Sequence, residues 1–223
     1  MHARRIVATT LAVGLAACDA SGEAPLLGSA GGAVMSAVAA ANREGRAAAT
    51  LSGDHSHDGA RVTLDQLSQR YSLVVLQPAH PVEVARTAAD SILTWNRFTL
   101  AETIVKRSAD AEACTMTVPE GLAITAEDVV LPLFKGSVVA GGVTVTADTP
   151  ESVVSFQPGR TYLAFVVLCP NQIVRLPFGP YGVFEVSVSQ ALKPMLASPS
   201  GVRPFMDDMD ALGTLTRLRL QLK

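Results

Sequence analysis

Gln157-Pro-Gly-Arg160 followed by Thr161-Tyr-Leu-Ala-Phe-Val-Val-Leu168 is a turn leading into an uncharged, strongly apolar run. Proline and glycine set the turn, and the short run of aromatic and branched side chains reads as a buried strand. It is the most hydrophobic strand of a body in which similar segments recur at short spacing. Upstream, Cys114-Thr-Met-Thr-Val118 alternates, and Val129 to Phe134 is apolar with Pro132 confining it to an edge or bulge. Lys135-Gly136 turns the chain. Ser137 to Val139 then leads through Gly141-Gly142, a hairpin turn, into Val143-Thr-Val-Thr146. Downstream, Gln172 to Leu176 is one more candidate, Pro177 to Gly182 is a loop, and Val183 to Ser189 closes the β region. This cadence predicts a mainly β fold, a small antiparallel OB-like barrel or sandwich.

The body begins near Arg61. Thr63 with Gln66 fits a capping box and predicts a short helix over Leu64 to Arg70. Ser72 to Gln77 is an apolar strand stopped by Pro78, and Val82 to Ser91 reads as helix or loop. From Thr94 to Lys106 a long half-buried strand sets Phe98, Leu100 and Ile104 against Arg97, Thr99 and Thr103. After the Ser198-Pro-Ser-Gly201 breaker, Phe205, Met209, Leu212, Leu215, Leu218 and Leu222 recur at helical spacing, predicting one amphipathic helix. Its acidic start and basic end suit the helix dipole.

The N-terminus gives an address. Arg4 and Arg5 precede an apolar run from Ile6 to Ala17, too short to span a bilayer as a permanent helix. A positive end, an apolar centre and small residues before a cut form a secretory signal peptide over residues 1–17. Leu15-Ala16-Ala17-Cys18 resembles the lipobox of bacterial lipoproteins. That resemblance implies acyl chains on Cys18, a membrane partner held through the lipid, and a cell-envelope location facing the periplasm. Asp19 resembles the retention residue of enteric inner-membrane lipoproteins, a rule that does not transfer across bacteria, so inner and outer membrane both stay open. Residues 18–60, rich in Ala, Gly and Ser, are read as a lipidated flexible linker, and residues 61–223 as one β-rich domain.

Composition narrows the partners. Of 18 basic side chains the signal removes Arg4 and Arg5, leaving 16 against 20 acidic. A weakly acidic body without a Lys/Arg run argues against nucleic acid as a partner. With Cys18 assigned to lipid, Cys114 and Cys169 are an even pair in an oxidising compartment and are expected to form a disulfide, the alternative being two buried thiols.

Val130-Leu-Pro-Leu-Phe-Lys-Gly136, Phe156-Gln-Pro-Gly-Arg-Thr-Tyr-Leu-Ala-Phe165 and Gly182-Val-Phe-Glu185 together resemble secreted OB-like barrels of the netrin and tissue-inhibitor type. The resemblance covers about 120 residues and rests on turn and core positions. The N-terminal cysteine wedge that carries inhibition in tissue inhibitors has no counterpart, so protease inhibition does not carry over.

Candidates for chemistry are few. Asp54-His-Ser-His-Asp58 offers His55 and His57 as metal ligands, but in a Gly-flanked segment that reads as a solvated linker. His80, between Ala79 and Pro81, is read as structural, and Gly136-Ser137 is no nucleophile elbow. Glu102 and Glu185 fall in predicted strands and would form an acid/base pair if the sheet brought them together. Trp95, Phe98, Tyr162, Phe178, Tyr181 and Phe184 are the main aromatics, with Tyr181 the candidate for exposure. No cofactor is implied. The expectation is a non-enzymatic envelope lipoprotein that binds or scaffolds an envelope protein or glycan, the alternative being a hydrolase using strand-borne carboxylates.

Overall fold

The computed structural model describes residues 32–52, 63–88, 91–109, 114–119, 122, 124–196 and 204–222. The fold is mainly β, and the described residues form strands in two sheets with four α-helices around them. The strands are β1 (Ala48–Ser52), β2 (Ser72–Ala88), β3 (Ser91–Val105), β4 (Asp128–Phe134), β5 (Gly136–Ala140), β6 (Val143–Asp148), β7 (Thr161–Leu168), β8 (Val174–Arg175), β9 (Val183–Val186) and β10 (Leu192–Pro194). The helices are α1 (Ala33–Arg43), α2 (Leu64–Arg70), α3 (Pro204–Leu212) and α4 (Leu215–Gln221).

The larger sheet runs β10-β9-β7-β2-β3-β4, with β8 paired to β7 outside that path. All of its ladders are antiparallel. One isolated parallel bridge joins Val130 of β4 to Ile173, with the Val130 N–H donating to the Gln172 carbonyl at 2.9 Å. The β4 end of the sheet therefore lies beside β8 through a single bridge instead of a ladder.

Between these strands sits one core. Val74, Leu76, Phe98, Leu131, Leu133, Ala164 and Val183 fill it from the sheet, and Val154 and Phe156 close it. Phe156 packs edge-on against Phe98 at 4.8 Å and against Tyr162 at 4.9 Å between ring centroids. Such T-shaped pairs contribute about 0.5–1.5 kcal/mol each beyond burial. The opposite face of β2, β7 and β9 carries Leu73, Val75, Leu163, Phe165, Phe184 and Val186, covered by Leu64 and Leu67 of α2, Met209 of α3, and Leu215 and Leu218 of α4.

The capping box forms as the sequence predicts: Thr63 Oγ1 accepts from the Gln66 N–H, and the Gln66 side chain accepts from the Thr63 N–H. The Leu64 N–H at the same end donates to Asp208 Oδ2 of α3 at 3.0 Å, tying two helices together. The hairpin forms too. Gly141 and Gly142, at φ +54° and +77°, join β5 to β6, and both positive values match the twist-compatible turn that glycine favours.

Several expectations are corrected. The stretch read as linker folds in part: α1 and β1 lie within it, and β1 pairs in parallel with β6 from Ala48↔Thr144 to Ser52↔Asp148. Val34, Val38 and Ala41 of α1 pack on Ala49, Val143, Val145 and Ala147 of the β1-β6-β5 sheet. Pro78 does not stop β2. The strand shifts register between Pro78 and Glu83 and then pairs on from Glu83↔Asn96 to Ala88↔Ser91, so 82–88 is strand and not helix or loop. Because β7 pairs β2 only as far as Leu76, the prolines fall where β2 has β3 alone beside it. Residues 114–118 form no regular strand. The single C-terminal helix is two, broken at Gly213. At φ +64° this residue ends α3 with its N–H donating to the Met209 carbonyl at 2.9 Å, and Thr214 then caps α4. Pro132 sits on β4, an outer strand of the sheet path, as its missing N–H requires.

Candidate functional site

Cys114 and Cys169 form a disulfide, with their Cα atoms 5.6 Å apart. It holds the 114–119 segment against Trp95, Val130 and Ile173. Nearby, the buried pair Arg97 and Asp128 meets at 2.9 Å. Burial pushes the Asp128 carboxyl up, but the Thr125 N–H at 2.8 Å and the Arg97 guanidinium outweigh it and hold it below its ordinary value. This pair anchors the loop before β4 and has the burial of a structural contact.

Glu102 and Glu185 do not converge. Glu102 on β3 stands opposite Val75, whose side chain faces the helices. Glu185 on β9 stands opposite Tyr162, which faces the inner core. Side chains alternate across a strand, so the two carboxylates lie on opposite faces of the sheet. Each meets an arginine instead. Arg219 of α4 donates through both Nε and Nη2 to Glu102, and Arg160 lies 3.1 Å from Glu185. The carboxylate pair required by the hydrolase reading is not formed.

Cys18, His55 and His57 lie outside the described residues. His80 lies on β2, and its side chain is likewise outside what is described. Among the described residues no group of three or more His, Cys, Asp or Glu stands where it could hold a metal ion. Trp95, Phe98, Tyr162 and Phe184 are core side chains, while Phe178 and Tyr181 are half-buried. Tyr181 is therefore not an exposed platform.

The topology assembles a different feature at one end of the large sheet. Because β2 runs antiparallel to both β3 and β7, its first residue lies beside the ends of those two strands. A groove of about 600 Å³ opens there, lined by Arg70, Tyr71, Ser72, Arg107, Leu168 and Arg175 among others. Arg70 ends α2, Arg107 follows β3, and Arg175 ends β8. Arg107 is fixed by its neighbours: its Nε donates to the Ser68 carbonyl at 2.7 Å and its backbone N–H donates to Ser72 Oγ at 2.9 Å. Tyr71 packs edge-on against Phe178, ring centroids 5.5 Å apart, so one wall is aromatic. Val166 to Leu168 and Leu176 to Pro177 make the groove partly apolar.

Among the described lining residues there are three guanidinium groups and no carboxylate. Guanidinium stays protonated at any physiological pH and offers a planar fork of donors. Guanidinium groups can hold an oxyanion through their charge and paired N–H donors. Sequence reasoning missed the groove because the arginines come from three segments far apart in the chain. The signal that would have found it is positional: each cation flanks an apolar element at the end where antiparallel neighbours meet.

Comparison with protein-family models, curated proteins and solved structures finds no match to this chain.

Proposed function

We propose that this chain is a lipid-anchored protein of the bacterial cell envelope that binds another envelope component and carries out no chemistry itself. The anchor rests on the sequence, from Arg4-Arg5 through the apolar run to Leu15-Ala16-Ala17-Cys18. The binding role is carried by one observation, the groove lined by Arg70, Arg107 and Arg175, whose side chains recognise anions without serving as general bases. The opposite placement of Glu102 and Glu185 favours this reading over the hydrolase.

Two measurements test it in the native cell. Feeding a clickable fatty acid is expected to label the full chain, and the label is expected to vanish in Cys18→Ala. A labelled Cys18→Ala protein, or an unlabelled native one, overturns the anchor. A photo-crosslinking side chain at exposed Ser108, on the groove rim, is expected to form an adduct that Arg107→Glu abolishes. The same side chain at Val188, beyond the far end of β7, is expected to form none. Equal adducts at both positions overturn the groove as the binding site.

A further inference from the structure

We infer that the groove takes an amphipathic organic anion: a carboxylate or phosphate head on a short apolar body. The inference rests on the groove being the binding site and adds the chemistry of what enters it. The head is specified by charge and by donor geometry. Arg70 and Arg175 are exposed residues of α2 and β8, and Arg107 reaches the same groove from the end of β3. The Arg107 Nε is already committed to the Ser68 carbonyl, which sets the plane of its guanidinium and leaves the terminal nitrogens to serve as a fork. A ligand oxyanion can pair with the Arg70 and Arg107 guanidiniums, whereas a cationic ligand is repelled by them.

The body is specified by the other walls. Tyr71, Leu168, Leu176 and Pro177 are half-buried and line the same space as the arginines. A small inorganic anion leaves those surfaces wet, while an alkyl or ring segment beside the head covers them. The volume of about 600 Å³ suits a ligand of that size and is far larger than a lone phosphate requires. Ser72, buried at the floor, is bonded to Arg107 through both its hydroxyl and the Arg107 backbone, so head position and strand end are fixed together.

Calorimetric titration of the full mature chain in phosphatidylcholine nanodiscs tests this with hexanoate, hexyl phosphate, inorganic phosphate, hexanol and hexyltrimethylammonium. Saturable binding of hexanoate or hexyl phosphate is expected, at least tenfold tighter than inorganic phosphate, with none for the alcohol or the cation. Whichever of the two amphiphiles binds tighter identifies the head as carboxylate or phosphate. Arg70→Gln, on an exposed helix end, is expected to weaken that binding about tenfold, and Arg107→Gln more. Arg107→Lys retains the charge without the fork and is expected to fall between native and Gln. Equal binding of hexanol, or no loss in Arg70→Gln with its helix content intact, overturns the inference. If neither amphiphile saturates while the Ser108 adduct still depends on Arg107, the ligand class is wrong and the groove remains the binding site. If the adduct is lost as well, both readings fall.

Discussion

Asp128 and Tyr162 set opposite limits on the pH range of the fold. The Asp128 carboxyl is held below its ordinary value by the Thr125 N–H and Arg97. Its contribution is therefore complete above the unfolded value of about 3.9 and is lost as pH falls through the lower folded value. Asp128→Asn is expected to cost about 3 kcal/mol, as for breaking a buried ion pair, and to remove the acid-side loss of urea-melt stability that the native protein shows below about pH 4. Tyr162 behaves in the opposite sense. Burial raises its phenol, with the Glu185 charge adding and the Gln157 N–H and Arg160 opposing. Its contribution is whole below about pH 10 and is lost as pH rises through the raised folded value. Tyr162→Phe is expected to remove that alkaline loss. It is also expected to cost about 1–2 kcal/mol at neutral pH, because the Gln157 N–H loses its acceptor at 2.8 Å.

Elements that announce themselves locally are the ones a reader of the sequence finds. Thr63 and Gln66 cap α2, Gly141-Gly142 turns β5 into β6, and Cys114 meets Cys169, each through a device written in the residues themselves. The disulfide closes a loop of 55 residues, worth about 4 kcal/mol in the chain-entropy model. The double variant Cys114→Ser and Cys169→Ser is expected to lower the denaturant midpoint accordingly, with its slope tracking the looser unfolded chain. By contrast, α1 hides because its buried face is Val34, Val38 and Ala41, too small to stand out in an Ala-rich stretch. β1 hides because its partner, β6, is nearly a hundred residues away and parallel to it. Val38→Asp puts a carboxylate against Val143 and Val145 and is expected to release 33–52. Hydrogen exchange would then rise at those amides while those of β7 stay protected. Equal loss in both would mean that the two sheets open as one unit. The groove was illegible for the same reason as β1: its residues are gathered by strand pairing, and no spacing in the chain records that.

Across the whole molecule, the C-terminal helices are fastened to the start of α2 and to β3. Asp208 accepts the Leu64 N–H at the start of α2, and Arg219 grips Glu102 on β3. The second contact is about a third exposed on each side. Glu102→Gln is therefore expected to cost no more than about 1 kcal/mol in chemical denaturation, less in high salt. A larger loss would mark it as more than a surface clasp. Folding is expected in milliseconds to seconds by stopped-flow, since β1 must wait for β6 and β2 for β7. The early entry of α1 into that body also sets a leash. With the acyl chains proposed at Cys18, 14 residues lie between that cysteine and Ala33, where α1 begins. Even drawn taut, they reach no more than roughly 50 Å. On the anchoring proposed above, a body held on so short a leash would forage only in the thin shell next to its own membrane.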